Sequence, residues 1–159
     1  MRLQREAAPA SAFWNWFDPR DAEATWPSAL ETSLAYIDRH IDIAGKLGKP
    51  VVLSEFGLNR DDGGFDPETT TRYRDRFYET VFARLQQRAA AGDAIAGSNF
   101  WAWGGRGRTA NADYMWQAGD AFTGDPPQEP QGLYSVFDDD ATTLRIIGDH
   151  AAKMDALAD

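Results

Sequence analysis

Three segments of the chain carry apolar residues at intervals of three or four positions, as in helices with one buried face. The first covers residues 28–47 and opens with Ser28 and Glu31, which have the spacing of a capping box. The second begins at Asp66-Pro67-Glu68 and ends before Gly92, and the third covers residues 142–157. The apolar positions of these three predicted helices are Leu30, Leu34, Ile37, Ile41, Ala44 and Leu47, then Tyr73, Phe77, Val81 and Leu85, then Leu144, Ile147, Ala151, Met154 and Leu157.

Each of the first two helices leads into a predicted strand. Residues 51–54, Val-Val-Leu-Ser, form a continuous apolar run with β-branched residues, which is typical of a strand buried on both faces. Residues 94–103 are predicted to form the second strand. Residues 104–141 form a long segment in which apolar residues have no clear period. This order predicts an α/β fold. Two parallel strands alone would leave both sheet edges open, so we expect the chain to be part of a larger structure.

Composition and charge exclude several classes of protein and ligand. The 159 residues are 43% hydrophobic and 13% aromatic, which favours a folded domain over a disordered one. The net charge of -9 disfavours nucleic acid and anionic lipid as partners, and no apolar run has the roughly 18 residues that span a bilayer. The chain lacks cysteine, and its acidic clusters lack the spacing of a calcium loop, so we expect no metal or other cofactor. Residues 1–12 lack the apolar core of a signal peptide, so we expect no export signal in this chain.

One carboxylate and a set of indoles stand where an α/β enzyme carries its active site. Glu55 follows the first predicted strand directly, and active sites of parallel sheets gather at the carboxyl ends of strands. Trp101 and Trp103 follow the second strand at the matching edge, where aromatic rings could stack on sugars. Aromatic residues of a strand often lie partly in the core, so we expect one of these two indoles to pack inward and Trp101 to be the one that faces a ligand. The alternative for Glu55 is a carboxylate that only caps or salt-bridges the strand end. Further aromatic and polar candidates for contacts with the same sugar are Trp14, Asn15, Trp16, and Tyr114 or Trp116.

Other titratable side chains are interpreted as structural. Asp120 and Glu129 lie near prolines of the long segment and are expected to shape it. The acidic run 138–140 is expected to form a solvated turn before the last helix. His40 and His150 fall within predicted helices, where packing or surface positions are expected.

Four segments together resemble a known enzyme family. Residues 49–57, 97–105 and 119–138 resemble the C-terminal part of endo-β-1,4-mannanases of glycoside hydrolase family 5. Residues 14–19 resemble the aromatic stretch after the sixth barrel strand of that family. The resemblance divides the chain into an unmatched segment, 1–12, and the C-terminal part of a catalytic domain, 13–159. It implies a partial (β/α)8 TIM barrel that holds about strands seven and eight with their flanking helices.

The resemblance also implies a chemistry, the retaining endo-hydrolysis of β-1,4-mannosidic bonds. It implies that Glu55 is the nucleophile. It also implies that a β-mannan or manno-oligosaccharide is bound by Trp101, Trp103, Trp14 and Trp16. A retaining enzyme needs a second carboxyl group about 5 to 5.5 Å from the first. The family takes that acid/base from an Asn-Glu pair after the fourth strand, and this sequence contains no such dipeptide. The isolated chain is therefore expected to be inactive. The family is generally secreted, so an extracellular location is expected, while the oligomeric state is left undetermined.

Two other interpretations fit the same residues. The chain could fold alone as a non-catalytic carbohydrate-binding module that uses its tryptophan-lined edge. It could also be a truncated gene product without a function of its own, because isolated barrel strands leave edges and helix faces exposed.

Overall fold

A computed structural model describes residues 16–158, and helices and strands alternate along them. The elements are α1 (Ala22–Lys46), β1 (Val51–Phe56), α2 (Arg72–Ala90), β2 (Ile95–Phe100), β3 (Trp103–Gly105), β4 (Val136–Phe137) and α3 (Ala141–Ala158). This order confirms the predicted α/β class and the existence of all three helices. Among the described residues, no helix has both the length and the apolar character needed to cross a membrane.

The strands form two separate parallel pairs. β1 pairs with β2, and β3 pairs with β4. The predicted second strand, 94–103, is therefore wrong in its last part. The backbone N–H of Trp101 donates to the Phe56 carbonyl at 2.7 Å and completes the first ladder. The next residue, Ala102, then exchanges hydrogen bonds with Tyr134 (3.2 Å) and Val136 (2.8 Å), so the chain changes partner after Trp101.

Strand β1 is not buried on both faces, contrary to the prediction. Val51 and Leu53 pack against the core cluster, whereas Val52 is 49% exposed and Ser54 is also exposed. Helices α1 and α2 contact this small sheet. Within residues 16–158, the apolar side chain of Val52 on the other face of β1 is therefore left partly exposed to solvent.

Helix α1 begins six residues before the predicted start, and the capping box does not form. The Ser28 hydroxyl instead donates to the Thr25 carbonyl at 3.2 Å, inside the helix. Trp26 is buried, and its ring lies 5.7 Å from Phe17 and 5.2 Å from Tyr73. These tertiary contacts stabilise the additional first turns, which local capping residues do not specify.

Helix α2 begins at Arg72, six residues after the predicted Asp66. Its first N–H groups are capped by Asp61, whose carboxylate accepts from the backbone N–H groups of Arg72 and Tyr73, both at 3.1 Å. The Thr70 hydroxyl also donates to Asp61, at 2.6 Å. A carboxylate from an earlier loop therefore sets this helix start, because it satisfies two otherwise unpaired donors.

The core lies between the β1–β2 sheet and the helices. Phe56 is buried at its centre, with the Tyr78 ring at 5.4 Å and the Phe82 ring at 5.6 Å. Helix α3 packs on α2, where His150 stacks on Phe82 at 3.9 Å. The predicted packing role of His150 is confirmed, and His40 binds the Tyr36 carbonyl one turn earlier in α1.

Candidate active site

Glu55 lies in a β-bulge at the carboxyl end of β1. Ser54 pairs with Asn99 and Phe56 with Phe100, so Glu55 is an extra residue without a partner in the ladder. Its φ of 55° is in the left-handed region, which a non-glycine residue adopts at some energetic cost. Bulges redirect side chains and occur often beside active sites. Here the bulge breaks the in–out alternation, so that Ser54 and Glu55 are both exposed.

The backbone at Trp101 closely approaches the residues that follow Glu55. Gly57 lies against Trp101, and a Cβ at Gly57 would overlap the Trp101 carbonyl oxygen. The Tyr78 hydroxyl lies 3.5 Å from the same oxygen, and burial raises the pKa of Tyr78, which keeps the hydroxyl protonated. Together with the Trp101-to-Phe56 hydrogen bond, these contacts hold the Trp101 backbone against Phe56 and Gly57, the residues that directly follow Glu55.

The two indoles after β2 differ in position from the prediction. Trp101 is partly buried, whereas Trp103 is 56% exposed, so Trp103 does not pack inward. The expectation of an inward-packing Trp103 is wrong because Trp103 does not continue β2 but belongs to β3, which pairs with β4. Ala102, between the indoles, is buried.

The remaining aromatic candidates lie in different places. Trp16 is partly buried and packs against the core cluster, while Trp14 lies outside the described residues. The Tyr114 hydroxyl donates to Asp66 at 3.0 Å. Trp116 stacks on Phe122 within the long segment between β3 and β4.

A buried ion cluster that was not predicted from the sequence joins the loop after Glu55 to the end of the long segment. The carboxylate of Asp140 accepts two hydrogen bonds from Arg60, at 2.9 and 2.8 Å, and lies 3.3 Å from Arg74. Arg74 also donates to the Leu58 carbonyl at 2.7 Å and to the Ser135 carbonyl at 2.9 Å. Both guanidinium groups are at most 1% exposed.

The expectation of a solvated turn at residues 138–140 is thus wrong for Asp140, which is buried. Asp138 and Asp139 are exposed and pair with Arg108. A signal did exist in the sequence. Arg74 lies three and seven positions before Phe77 and Val81, on the apolar face of α2, where a charged residue requires a buried partner.

The long segment is held by a second buried polar network around Asp125. Its carboxylate accepts from the backbone N–H groups of Gly132 (2.8 Å) and Tyr134 (3.0 Å) and from the Ser135 hydroxyl (2.6 Å). Burial raises the pKa of Asp125, and these hydrogen bonds oppose the rise. The shaping role expected of Asp120 is confirmed, because its carboxylate accepts from the Gln117 backbone N–H at 2.8 Å.

The site therefore offers an exposed carboxylate at the carboxyl end of β1, and Trp101 follows the paired strand β2 directly. A carboxylate at a sheet edge can attack a carbon centre or transfer a proton, and aromatic rings can hold an apolar or sugar face. Burial and the nearby Asp125 raise the pKa of Glu129, the second acid considered in the long segment. Within residues 16–158, no group of three or more His, Cys, Asp or Glu side chains could hold a metal ion.

Comparison with known sequences points to one family. A family model described as GH family 5 beta-mannosidase-like matches residues 11–159. Mannan endo-1,4-beta-mannosidase 7 of Arabidopsis thaliana is 36% identical over 87 residues, which are 54% of this chain and 18% of that protein. Mannan endo-1,4-beta-mannosidase 1 of Oryza sativa subsp. japonica is 36% identical over 67 residues, which are 42% of this chain and 15% of that protein.

Solved structures agree with the sequence matches. The fold is similar to the glycoside hydrolase family 5 mannosidase from Rhizomucor miehei, with a TM-score of 0.80 and 34% identity over 91% of this chain and 35% of that one. A mutant of the same enzyme in complex with mannosyl-fructose gives a TM-score of 0.71 and 31% identity, over 91% of this chain and 36% of that one. The chain thus spans about a third of the length of this structure, and less of the two plant proteins.

Proposed function

The chain belongs to glycoside hydrolase family 5, and from this membership we propose that it carries the nucleophile half of a retaining site for β-1,4-mannosidic bonds. Glu55 is the proposed nucleophile. The observation that carries this role is the bulge at the end of β1, which leaves Glu55 exposed at the carboxyl end of the strand. In the proposed architecture, β1 and β2 are about the seventh and eighth strands of a (β/α)8 barrel.

The reaction takes place in two displacements. A Glu55 carboxylate oxygen attacks the anomeric carbon of a mannosyl unit, and the bond from that carbon to the leaving-group oxygen breaks. The leaving oxygen takes a proton from a second carboxyl group, and water later cleaves the glycosyl ester with that same group as base. We propose that the second carboxyl group is not supplied by this chain, so that the chain alone does not hydrolyse mannan.

A substrate with an activated leaving group separates the nucleophile from the missing acid. Dinitrophenolate departs without protonation, so dinitrophenyl 2-deoxy-2-fluoro-β-mannobioside should label the wild-type chain covalently in the absence of an acid catalyst. Intact-protein and peptide mass spectrometry should locate one adduct on Glu55 and none in Glu55→Gln. Glu31→Gln is the matched control, because Glu31 is an exposed acid on α1. Absence of an adduct, or its persistence in Glu55→Gln, would refute the nucleophile role.

The same reagents distinguish the two modes of attack named among the similar proteins. Faster labelling by the mannobioside than by the corresponding mannoside supports endo-action, as in the names of the plant relatives. Equal labelling supports action at chain ends.

A second candidate function is carbohydrate binding without catalysis. The observation that favours it is the exposure of aromatic rings outside the core, with Trp103 at 56% and Phe122 at 67%. Saturable binding of mannohexaose by both the wild-type chain and Glu55→Gln, without covalent labelling of either, would support this function over the first.

A further inference from the structure

The long segment between β3 and β4 carries an aromatic pair that the proposed reaction does not use. The Trp116 and Phe122 rings stack with an interplanar angle of 12° and a centroid distance of 5.5 Å. Phe122 is 67% exposed, the highest exposure among the large hydrophobic side chains of the described residues. Since Trp116 covers one face of the Phe122 ring, this exposure leaves the second face open to solvent.

The pair is held in place by its own segment. The indole N–H of Trp116 donates to the Asp120 carbonyl at 3.2 Å. The Asp120 carboxylate accepts from the Asn111 side chain at 2.6 Å and from the Gln117 backbone at 2.8 Å. The Trp116–Phe122 ring pair is therefore already ordered before a ligand binds, which lowers the entropic cost of binding.

The backbone that carries Phe122 runs close to the backbone of Trp103. A Cβ at Gly124 would stand 2.8 Å from the Trp103 carbonyl oxygen, and one at Gly104 would stand 2.5 Å from the Thr123 carbonyl oxygen. Residues 122–124 thus run alongside residues 103–104. Thr123 is fully buried, whereas its neighbour Phe122 is exposed. Trp103 and Phe122 are consequently two exposed aromatic residues on adjoining backbone segments.

We propose that Phe122, backed by Trp116, is a sugar-stacking subsite separate from Glu55 that extends the binding of a β-1,4-mannosyl chain beyond Trp103. The apolar C–H face of a pyranose fits an open aromatic ring. Gln117, which follows Trp116 directly, has an exposed side chain whose amide can donate to sugar hydroxyls. One ring pair is far smaller than the roughly 800 Å² that each partner contributes to a stable protein interface. The identity of the sugar rests on the proposed function.

Calorimetric titration of the 159-residue chain with mannobiose and mannohexaose tests this subsite. Phe122→Ala should weaken mannohexaose binding by about tenfold, as expected for loss of an aromatic anchor, and should change mannobiose binding by less than about twofold. Leu47→Ala is the control, because Leu47 is 65% exposed at the end of α1 and should change neither affinity. Phe122→Tyr should retain the affinity, and near-UV circular dichroism should show the same folded state for each variant.

Three results would overturn the subsite: unchanged mannohexaose binding in Phe122→Ala, an equal loss for both ligands, or no saturable binding of mannohexaose by the wild-type chain. The Glu55 labelling experiment fails independently. Labelling of Glu55 without a length-dependent effect of Phe122→Ala removes the subsite alone. A length-dependent effect without labelling keeps the subsite and removes the nucleophile.

Discussion

Asp140→Asn removes the carboxylate that two buried guanidinium groups share. Asp140 binds Arg60 through both oxygens, lies 3.3 Å from Arg74, and accepts the backbone N–H of Phe137 at 2.8 Å. An asparagine has the same shape but replaces one acceptor oxygen by a donor NH₂ group and loses the charge. Burial lowers the pKa of Arg74, and the Asp140 carboxylate acts against this fall.

The loss of stability should be large. Removing one partner of a buried ion pair costs about 3–5 kcal/mol, whereas a whole domain is stable by about 5–15 kcal/mol. At about 2–4 °C per kcal/mol for a chain of this size, we expect the melting temperature to fall by about 10 °C. The effect should extend to the site, because Arg74 joins the carbonyls of Leu58 and Ser135.

Urea denaturation followed by near-UV circular dichroism measures the difference in the free energy of unfolding between Asp140→Asn and the wild-type chain. Asp138→Asn is the matched control, since its carboxylate is 41% exposed and pairs with Arg108 at the surface. Such a surface pair contributes at most about 1 kcal/mol. Equal midpoints for Asp140→Asn and Asp138→Asn would refute the assignment of the buried cluster as a stabilising contact between the two loops.

Two further changes test other parts of the structure. Gly57→Ala should destabilise the chain by about 2 kcal/mol or more and reduce manno-oligosaccharide binding, because the added Cβ overlaps the Trp101 carbonyl; unchanged urea midpoint and affinity would contradict the close approach. Burial, and to a lesser extent Lys153, lowers the pKa of His150 below the 6.5 of the unfolded state. The unfolded chain therefore binds the proton first as pH falls, so the melting temperature should decrease from about pH 7.5 to 5.5, and His150→Gln should decrease less steeply. The raised pKa of Asp125 has the opposite sign and cannot produce this trend, and parallel curves for His150→Gln and wild type would contradict it.

The sequence predicted those features that neighbouring residues encode. The periodic spacing of Tyr73, Phe77, Val81 and Leu85 located the buried face of α2, of which Phe77, Val81 and Leu85 are fully buried. The position of Glu55 at the end of a predicted strand also followed from local order. The element starts were less accurate, because Trp26 in α1 packs against Tyr73 of α2, and the α2 cap, Asp61, lies outside the helix in a preceding loop.

The tertiary structure alone decided how the site is built. Whether Glu55 lies in a bulge depends on the register of β1 against β2, and the exposure of Trp103 depends on pairing of β3 with β4, over 30 residues later. The burial of Asp140 likewise depends on two arginines that lie far away in the chain. Side-chain periodicity is set by the geometry of a single element, and the sequence therefore determined the helices and the class of fold. Register, the pairing of buried charges and close backbone approach arise only when separate elements meet, so a local pattern can indicate that Arg74 needs a buried partner but cannot specify which residue supplies it.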